Sequence, residues 1–249
     1  MTNPLVTKLK LFARLSGSDK AALAALTDAH VRRYRPGVDI VREGDVSRVV
    51  HVLLSGWAGR YKHLNDGRRQ TLAVLLPGDF CDHGVLVGCP MDHSVGAFRE
   101  VTVAEVEPAA FEGLIGARPH LVRAFRWEAL SAAAMQREWA LSLGRRSAIE
   151  RLAHVFCELA CRLRVLGSAT TADGALPLPL TQEELADVIG MTSVHINRTL
   201  KQLHADGLIA LRDRRLSILD EDGLRRVAQF DPSYLHLGGE AARLDARMG

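Results

Sequence analysis

LTQEELADVIGMTSVHINRTLKQLHADGLIALRDRRLSIL, Leu180 to Leu219, holds two helix starts, a glycine turn and a charged hairpin in forty residues. Thr181 followed three residues later by Glu184 is a capping-box pattern: the hydroxyl takes one orphan amide and the carboxylate takes another. Leu185, Val188 and Ile189 then recur at helical spacing, and Gly190 closes the helix with a tight turn. Thr192 is placed to cap a second helix whose inward residues are Ile196, Leu200 and Leu203. That leaves Ser193, Val194, Asn197, Arg198 and Lys201 on the opposite face, with His195 beside them. Asp206-Gly207 ends this helix. Two short apolar runs, Leu208–Leu211 and Leu216–Leu219, then flank Arg212-Asp213-Arg214-Arg215.

A short helix, a three-residue turn, a second helix with a polar outer face and a basic hairpin make a winged helix-turn-helix. Such a second helix fits the major groove, where Asn pairs with adenine and Arg with guanine, both bidentately. Wing arginines supply phosphate contacts, which position without specifying. From Ser193 to Arg215 five Lys/Arg stand against two acids, a local basic footprint on a chain of formal net charge +3. Double-stranded DNA is the predicted partner. Its predicted contacts are Thr192, Ser193, Val194, His195, Asn197, Arg198, Lys201, Arg212 and Arg214.

Outward from this block, the 249 residues are 47% hydrophobic and 24% charged, as in a globular protein with a sizeable core. No window approaches the roughly 18 uninterrupted apolar residues of a membrane helix, so no membrane partner is predicted. The N-terminus lacks a basic start followed by an apolar signal core, and four cysteines are too few for a disulfide framework. The expected setting is the cytoplasm. Residues 5–30 read as helix interrupted at Ser16-Gly17-Ser18. From about 31 to 110 short β-type runs (Val38–Arg42, Val49–Leu54, Gly59–His63, Gln70–Leu75, Val101–Val106) alternate with turn signals, Asn65-Asp66-Gly67 the strongest. Such spacing suggests a small antiparallel barrel or jelly roll.

From Pro119 the pattern turns helical. Val122, Phe125, Ala129, Ala132, Gln136, Trp139 and Leu143 step by three and four, an a/d seam over three heptads. Small alanines and one glutamine in that seam suit a close contact between two subunits; the alternative is a helix packed on its own barrel. A separate helix follows Gly144, and Gly167–Gly174 is a polar connection. The expected fold class is α+β. Residues 1–118 form the sensory barrel, 119–144 the dimerisation helix, 145–235 the winged helix-turn-helix and 236–249 a tail.

These parts together resemble a transcription regulator of the Crp/Fnr superfamily. The resemblance spans about residues 5–235. It rests on Arg35-Pro36-Gly37, Ile40-Val41-Arg42-Glu43-Gly44-Asp45, Leu54-Ser55-Gly56, Pro77-Gly78-Asp79-Phe80 and the Thr181–Leu211 block. It implies a homodimer, formed through the 119–143 helix, that reads a two-fold symmetric operator and recruits or blocks RNA polymerase. The best-known members carry an Arg or Glu early in the recognition helix where this chain has Ser193 and Val194. Arg198 matches their later arginine, so the groove-reading role passes first to Arg198, then to Asn197 and Ser193.

In cyclic-AMP-binding relatives, a loop after the Gly-Asp-Phe-like turn carries a Gly-Glu pair and then an Arg before Ser or Thr. Here Asp82-His83 and His93-Ser94 stand at those places, and no Lys or Arg occurs from Gln70 to Phe98. A buried cyclic phosphate would lack its charge-assisted guanidinium bonds. The pocket formed by Asp82, His83, His93 and Ser94 is expected to serve a different signal or none, and no cofactor is predicted.

Cys81, His83, Cys89 and His93 have the donor chemistry of a zinc site, and the alternative is a ligand-responsive regulator whose barrel binds a cyclic nucleotide or a metal or redox signal. Their spacing matches no ligand signature, and Pro90 breaks a helix between Cys89 and His93, so no metal site is predicted. Cys157, Cys161 and His154 lie on a Phe- and Leu-rich helix and read as packing. With no cysteine before Cys81, the family's N-terminal iron–sulfur cluster is not supported. No Ser-His-Asp pattern, phosphate-binding glycine loop or paired-carboxylate motif appears, and His51 and His63 lack partner spacing for a metal-dependent barrel enzyme. No enzyme is predicted.

Overall fold

The structure is a computed structural model, and it describes residues 3–82, 88–167 and 174–237. Two short helices open the chain, α1 (Pro4–Leu9) and α2 (Gly17–Asp28). The break spans residues 10–16, largely ahead of the predicted Ser-Gly-Ser turn. Gly17 and Ser18 already belong to α2, because Ser16 and Asp19 form a capping box that starts the helix there, the Ser16 amide donating to Asp19 at 2.9 Å.

Seven strands follow: β1 (Val31–Tyr34), β2 (Asp39–Val41), β3 (Val50–Ser55), β4 (Ala58–His63), β5 (Arg69–Leu75), β6 (Ser94–Ala97) and β7 (Val101–Val106). They make two antiparallel sheets, ordered β1-β7-β3 and β2-β6-β4-β5. Asn65-Asp66-Gly67 joins β4 to β5, with Gly67 at φ +86. Neither β1 nor β6 carries a strand signal in sequence. β1 is VRRY with three exposed residues, and β6 has Gly96 in its middle. Both are strands because β7 and β4 offer them backbone to pair with, and backbone groups left unpaired in a core are costly.

Three helices come next: α3 (Pro108–Ala117), α4 (Leu121–Arg145) and α5 (Ala148–Val165). The C-terminal unit adds β8 (Leu176–Pro177), α6 (Gln182–Ile189), α7 (Ser193–Ala205), β9 (Ile209–Arg212), β10 (Arg215–Ile218), α8 (Glu221–Ala228) and a 3-10 turn at Pro232–Leu235. The core of this unit reaches into the barrel, where Trp57, Val74, Leu76 and Phe98 pack in the same cluster as Leu152, Phe156 and Ile189. The C-terminal unit is seated on the barrel.

The heptad seam drawn along α4 needs correction, because the helix is apolar on two faces. Phe125 packs edge-to-face on Phe80 and Phe111, with centroids 5.9 and 4.9 Å apart. The Gln136 amide donates to the Leu72 carbonyl at 2.7 Å, and Trp139 is buried. Those seam residues serve the chain's own barrel and domain contacts. The face left outward carries Ala129, Leu130, Ala133, Ala140 and Leu141, all exposed. A simple a/d count cannot separate two stripes that lie one residue apart on the same helix.

Five buried charges fasten the domains together. Lys8 of α1 pairs with Asp79, from the Pro77-Gly78-Asp79-Phe80 turn, and with Glu128 of α4 at 2.8 Å. Arg162 of α5 reaches the other Asp79 oxygen at 2.8 Å and Glu158 at 3.3 Å. Glu158 also accepts the Trp139 indole N–H at 3.0 Å and the Tyr234 hydroxyl at 2.8 Å. Burial alone would raise the Asp79 carboxyl, but the Lys8 and Arg162 charges and the Leu76 amide outweigh it and hold it below its usual range. Lys8 is held above its usual value against its own burial by Asp79 and Glu128.

Candidate nucleic-acid interface

The helix-turn-helix forms where its local signals place it. Thr181 Oγ1 accepts the Glu184 amide at 3.1 Å, and Glu184 accepts the Thr181 amide at 2.6 Å. Gly190 closes α6 at φ +68, and Thr192 caps α7 by accepting the His195 amide at 3.4 Å. Ile196, Leu200 and Leu203 turn into the core. Thr192, Ser193, Val194, His195, Arg198 and Lys201 are exposed, and Asn197 is half-buried. The wing is a two-residue turn between β9 and β10. Asp213 and Arg214 both sit at positive φ, +48 and +57, the backbone of a type I′ hairpin built without glycine. Arg212 and Arg214 are exposed. A groove of about 270 Å³ runs between α7 and β9, lined by Asn197, Lys201, His204 and Arg212.

Gly190 is required twice over. A Cβ there would sit 3.0 Å from Gln70 Oε1 and 3.3 Å from Leu143 Cδ2, in a left-handed backbone that L side chains avoid. Gly190→Ala is expected to lower stability by about 1–2 kcal/mol, read as a shifted urea midpoint. An unchanged midpoint would show that the turn tolerates a side chain.

Sequence reasoning missed two features of this interface. Gln182, the first residue of α6, accepts from the Asn197 side-chain amide at 3.2 Å, which orients that amide on the outer face of α7. Its signal was legible, since Gln182 directly follows the capping threonine. The other feature is a clasp from the barrel. Arg99 reaches the capping carboxylate of Glu184 with both terminal nitrogens, at 3.1 and 3.2 Å. Arg69 meets Asp187 at 2.7 Å, and the Gln70 amide donates to the Asp187 carbonyl at 2.9 Å. Nothing local in the sequence announces pairs more than 80 residues apart.

The other described candidate residues lie in the barrel. His83 lies outside the described residues. Cys81 is fully buried in the barrel core, and burial pushes its thiol up to about 12; Cys89 is exposed. His93 Nδ1 lies 2.6 Å from Asp92, while Ser94 Oγ, on β6, accepts the Glu43 amide at 3.0 Å. Among the described residues no three His, Cys, Asp or Glu side chains are grouped to hold a metal. The loop does meet a guanidinium that its own sequence lacks. Arg60 of β4 donates through Nε to the Cys81 carbonyl at 2.9 Å and through Nη2 to the Phe80 carbonyl at 2.7 Å. Among the described residues, Asp82 Oδ2 and His93 Nε2 are buried without a hydrogen-bond partner.

Comparison with known proteins agrees with this architecture. Residues 31–118 match the cyclic nucleotide-binding domain model and residues 150–227 the Crp-like helix-turn-helix domain model. The chain is similar to the nitrogen fixation regulation protein FixK of Bradyrhizobium diazoefficiens, at 33% identity over 78% of this chain and 80% of that one. It is similar to the transcriptional activator protein FnrL of Cereibacter sphaeroides, at 30% identity over 84% and 83% of the two chains. Among solved structures, FixK2 from Bradyrhizobium japonicum superposes with a TM-score of 0.70 at 26% identity, over 80% of this chain and 96% of that one. No helix among the described residues is long and apolar enough to cross a membrane. With a nucleotide-binding-type barrel, a seated winged helix and relatives at this identity over most of both lengths, the chain belongs to the Crp/Fnr family of transcriptional regulators, which are DNA-binding proteins and not enzymes.

Proposed function

We propose that this regulator acts as a homodimer on a two-fold symmetric operator, with Thr192, Ser193, Val194, His195, Asn197, Arg198 and Lys201 facing the major groove and Arg212 and Arg214 facing phosphate. The observation that carries the reading is the open face of α7 beside an exposed basic wing, on a domain held firmly against the barrel. The exposed apolar strip of α4, with Leu130 44% and Leu141 50% accessible, supports the second subunit's docking there. RNA polymerase is the proposed downstream partner, and the cytoplasm, where the DNA is, the proposed compartment.

The barrel is proposed not to use cyclic AMP. Two donors of Arg60, the guanidinium that reaches the loop, are already given to backbone carbonyls, and Ser94 Oγ already accepts the Glu43 amide. The buried, unpartnered Asp82 Oδ2 and His93 Nε2 favour a second reading, a barrel that answers a different ligand or a metal. Calorimetric titration with cyclic AMP and metal analysis of the purified protein separate the two: a stoichiometric ligand overturns the effector-free barrel.

Selection of binding sites from random duplexes tests the interface itself. The wild type is expected to enrich a palindromic motif, and Arg198→Ala to lose preference at one position per half-site at a cost of about 1–3 kcal/mol. An unchanged motif from the variant would remove Arg198 from the reading face. Sedimentation of the pure protein as a monomer would refute the dimer.

A further inference from the structure

Val194 is an apolar side chain in the middle of a polar reading surface. It is the second residue of α7 and 73% exposed, more than any other large hydrophobic residue among those described. Ser193 and His195 flank it, and Arg198 and Lys201 continue its line along the helix, so it belongs to no apolar patch. A β-branched side chain in a helix is held in one preferred rotamer. Val194 therefore presents its methyls without an ordering cost at the helix end that contacts base edges in a helix-turn-helix.

Resting on the DNA-binding reading above, we propose that Val194 is a specificity-determining residue that selects thymine through the base's C5-methyl group. In the major groove, thymine alone offers an apolar group; every other base edge presents donors or acceptors. A valine against the cytosine N4 or adenine N6 donor would strip water from a polar group and return no hydrogen bond. A valine against a methyl group removes apolar surface from water on both sides. Val194 and Arg198 are one turn apart, about 6 Å along the axis, and base steps are about 3.4 Å. The selected thymine accordingly lies within about two base pairs of the guanine read by Arg198.

The test replaces each thymine of the selected half-site by deoxyuridine, one at a time, which removes only the methyl group. Wild-type affinity is expected to fall about fourfold per half-site at one position, the worth of one buried methyl-sized group. Val194→Ala is expected to bind thymine and uracil equally there, with circular dichroism unchanged because the side chain touches no core. Three results overturn the proposal. Wild-type binding could be indifferent to uracil at every position. Val194→Ala could keep the wild-type sensitivity, or it could weaken all duplexes alike, which assigns the side chain to backbone packing. A protein that selects no DNA site at all overturns the regulator reading itself, whereas a selected site blind to uracil overturns only this inference.

Discussion

Arg162→Met is expected to cost about 3–5 kcal/mol of stability, the usual penalty for leaving buried charges without their partner. Arg162 joins the DNA-binding unit to the barrel, spanning Asp79 at 2.8 Å and Glu158 at 3.3 Å, with its side chain 9% exposed. Methionine keeps an unbranched apolar stem but is shorter than arginine, so some packing is lost along with the charge. Asp79 Oδ2 would keep the Leu76 amide at 2.7 Å and Glu158 its Trp139 and Tyr234 donors, but both carboxylates would remain buried without the guanidinium. Urea unfolding followed by tryptophan fluorescence reads the change directly, since Trp139 sits in the network. In a double-mutant cycle, Asp79→Asn with Arg162→Met should cost less than the sum of the two. If Arg162→Met unfolds within about 0.5 kcal/mol of wild type, as surface substitutions do, the pair is not the joint between the domains.

Acid should weaken the wild type well before its carboxylates titrate, and His154 is the chief cause. This ring is buried between α4, α5 and the C-terminal turn. It stacks on Tyr234 with planes 15° apart and meets Phe230 edge-on. Burial first, and the Arg146 charge second, push its pKa down to about 3. Glu138 Oε1 lies 3.3 Å from Nε2 without hydrogen-bond alignment, and that oxygen is taken by Arg146 at 2.7 Å. An unfolded imidazole titrates near about pH 6.5, so below that the unfolded chain binds a proton the native state refuses.

The His154 contribution is whole above about pH 6.5 and shrinks as pH falls, by about 2 kcal/mol at pH 5 and about 3 at pH 4. His51, lowered by its own burial, acts in the same direction. Asp79, held below its usual range, contributes above that range and is lost only at more acid pH. His154→Phe keeps the ring and removes the titration. Measured by denaturant unfolding at each pH, the variant should gain about 2 kcal/mol on wild type between pH 7.5 and 5. Parallel stability curves would exclude His154 as the acid-sensitive group.

The DNA-reading half was legible because its signals are short-range. The Thr181–Glu184 box, the Gly190 turn, the Thr192 cap and the Ile196–Leu200–Leu203 stripe each involve residues within seven positions of one another. Local hydrogen bonds and steric preferences decide such features before any tertiary contact forms. The barrel strands with period-two patterning and the Asn65-Asp66-Gly67 hairpin were legible for the same reason. β1 and β6 were not, since pairing with β7 and β4 created them.

The sequence by itself determined the winged helix, the β-rich character of the barrel and the exposed polar face of α7. Tertiary structure decided which stripe of α4 faces the chain's own core, and it brought Arg60 to a loop that has no cation of its own. It also gave Asp79, half of a turn motif in sequence, a place between Lys8 and Arg162, residues 71 and 83 positions away. The reason is physical. A buried charge is tolerable only with its partners in place, and those partners come from elements that meet only when the whole chain has folded.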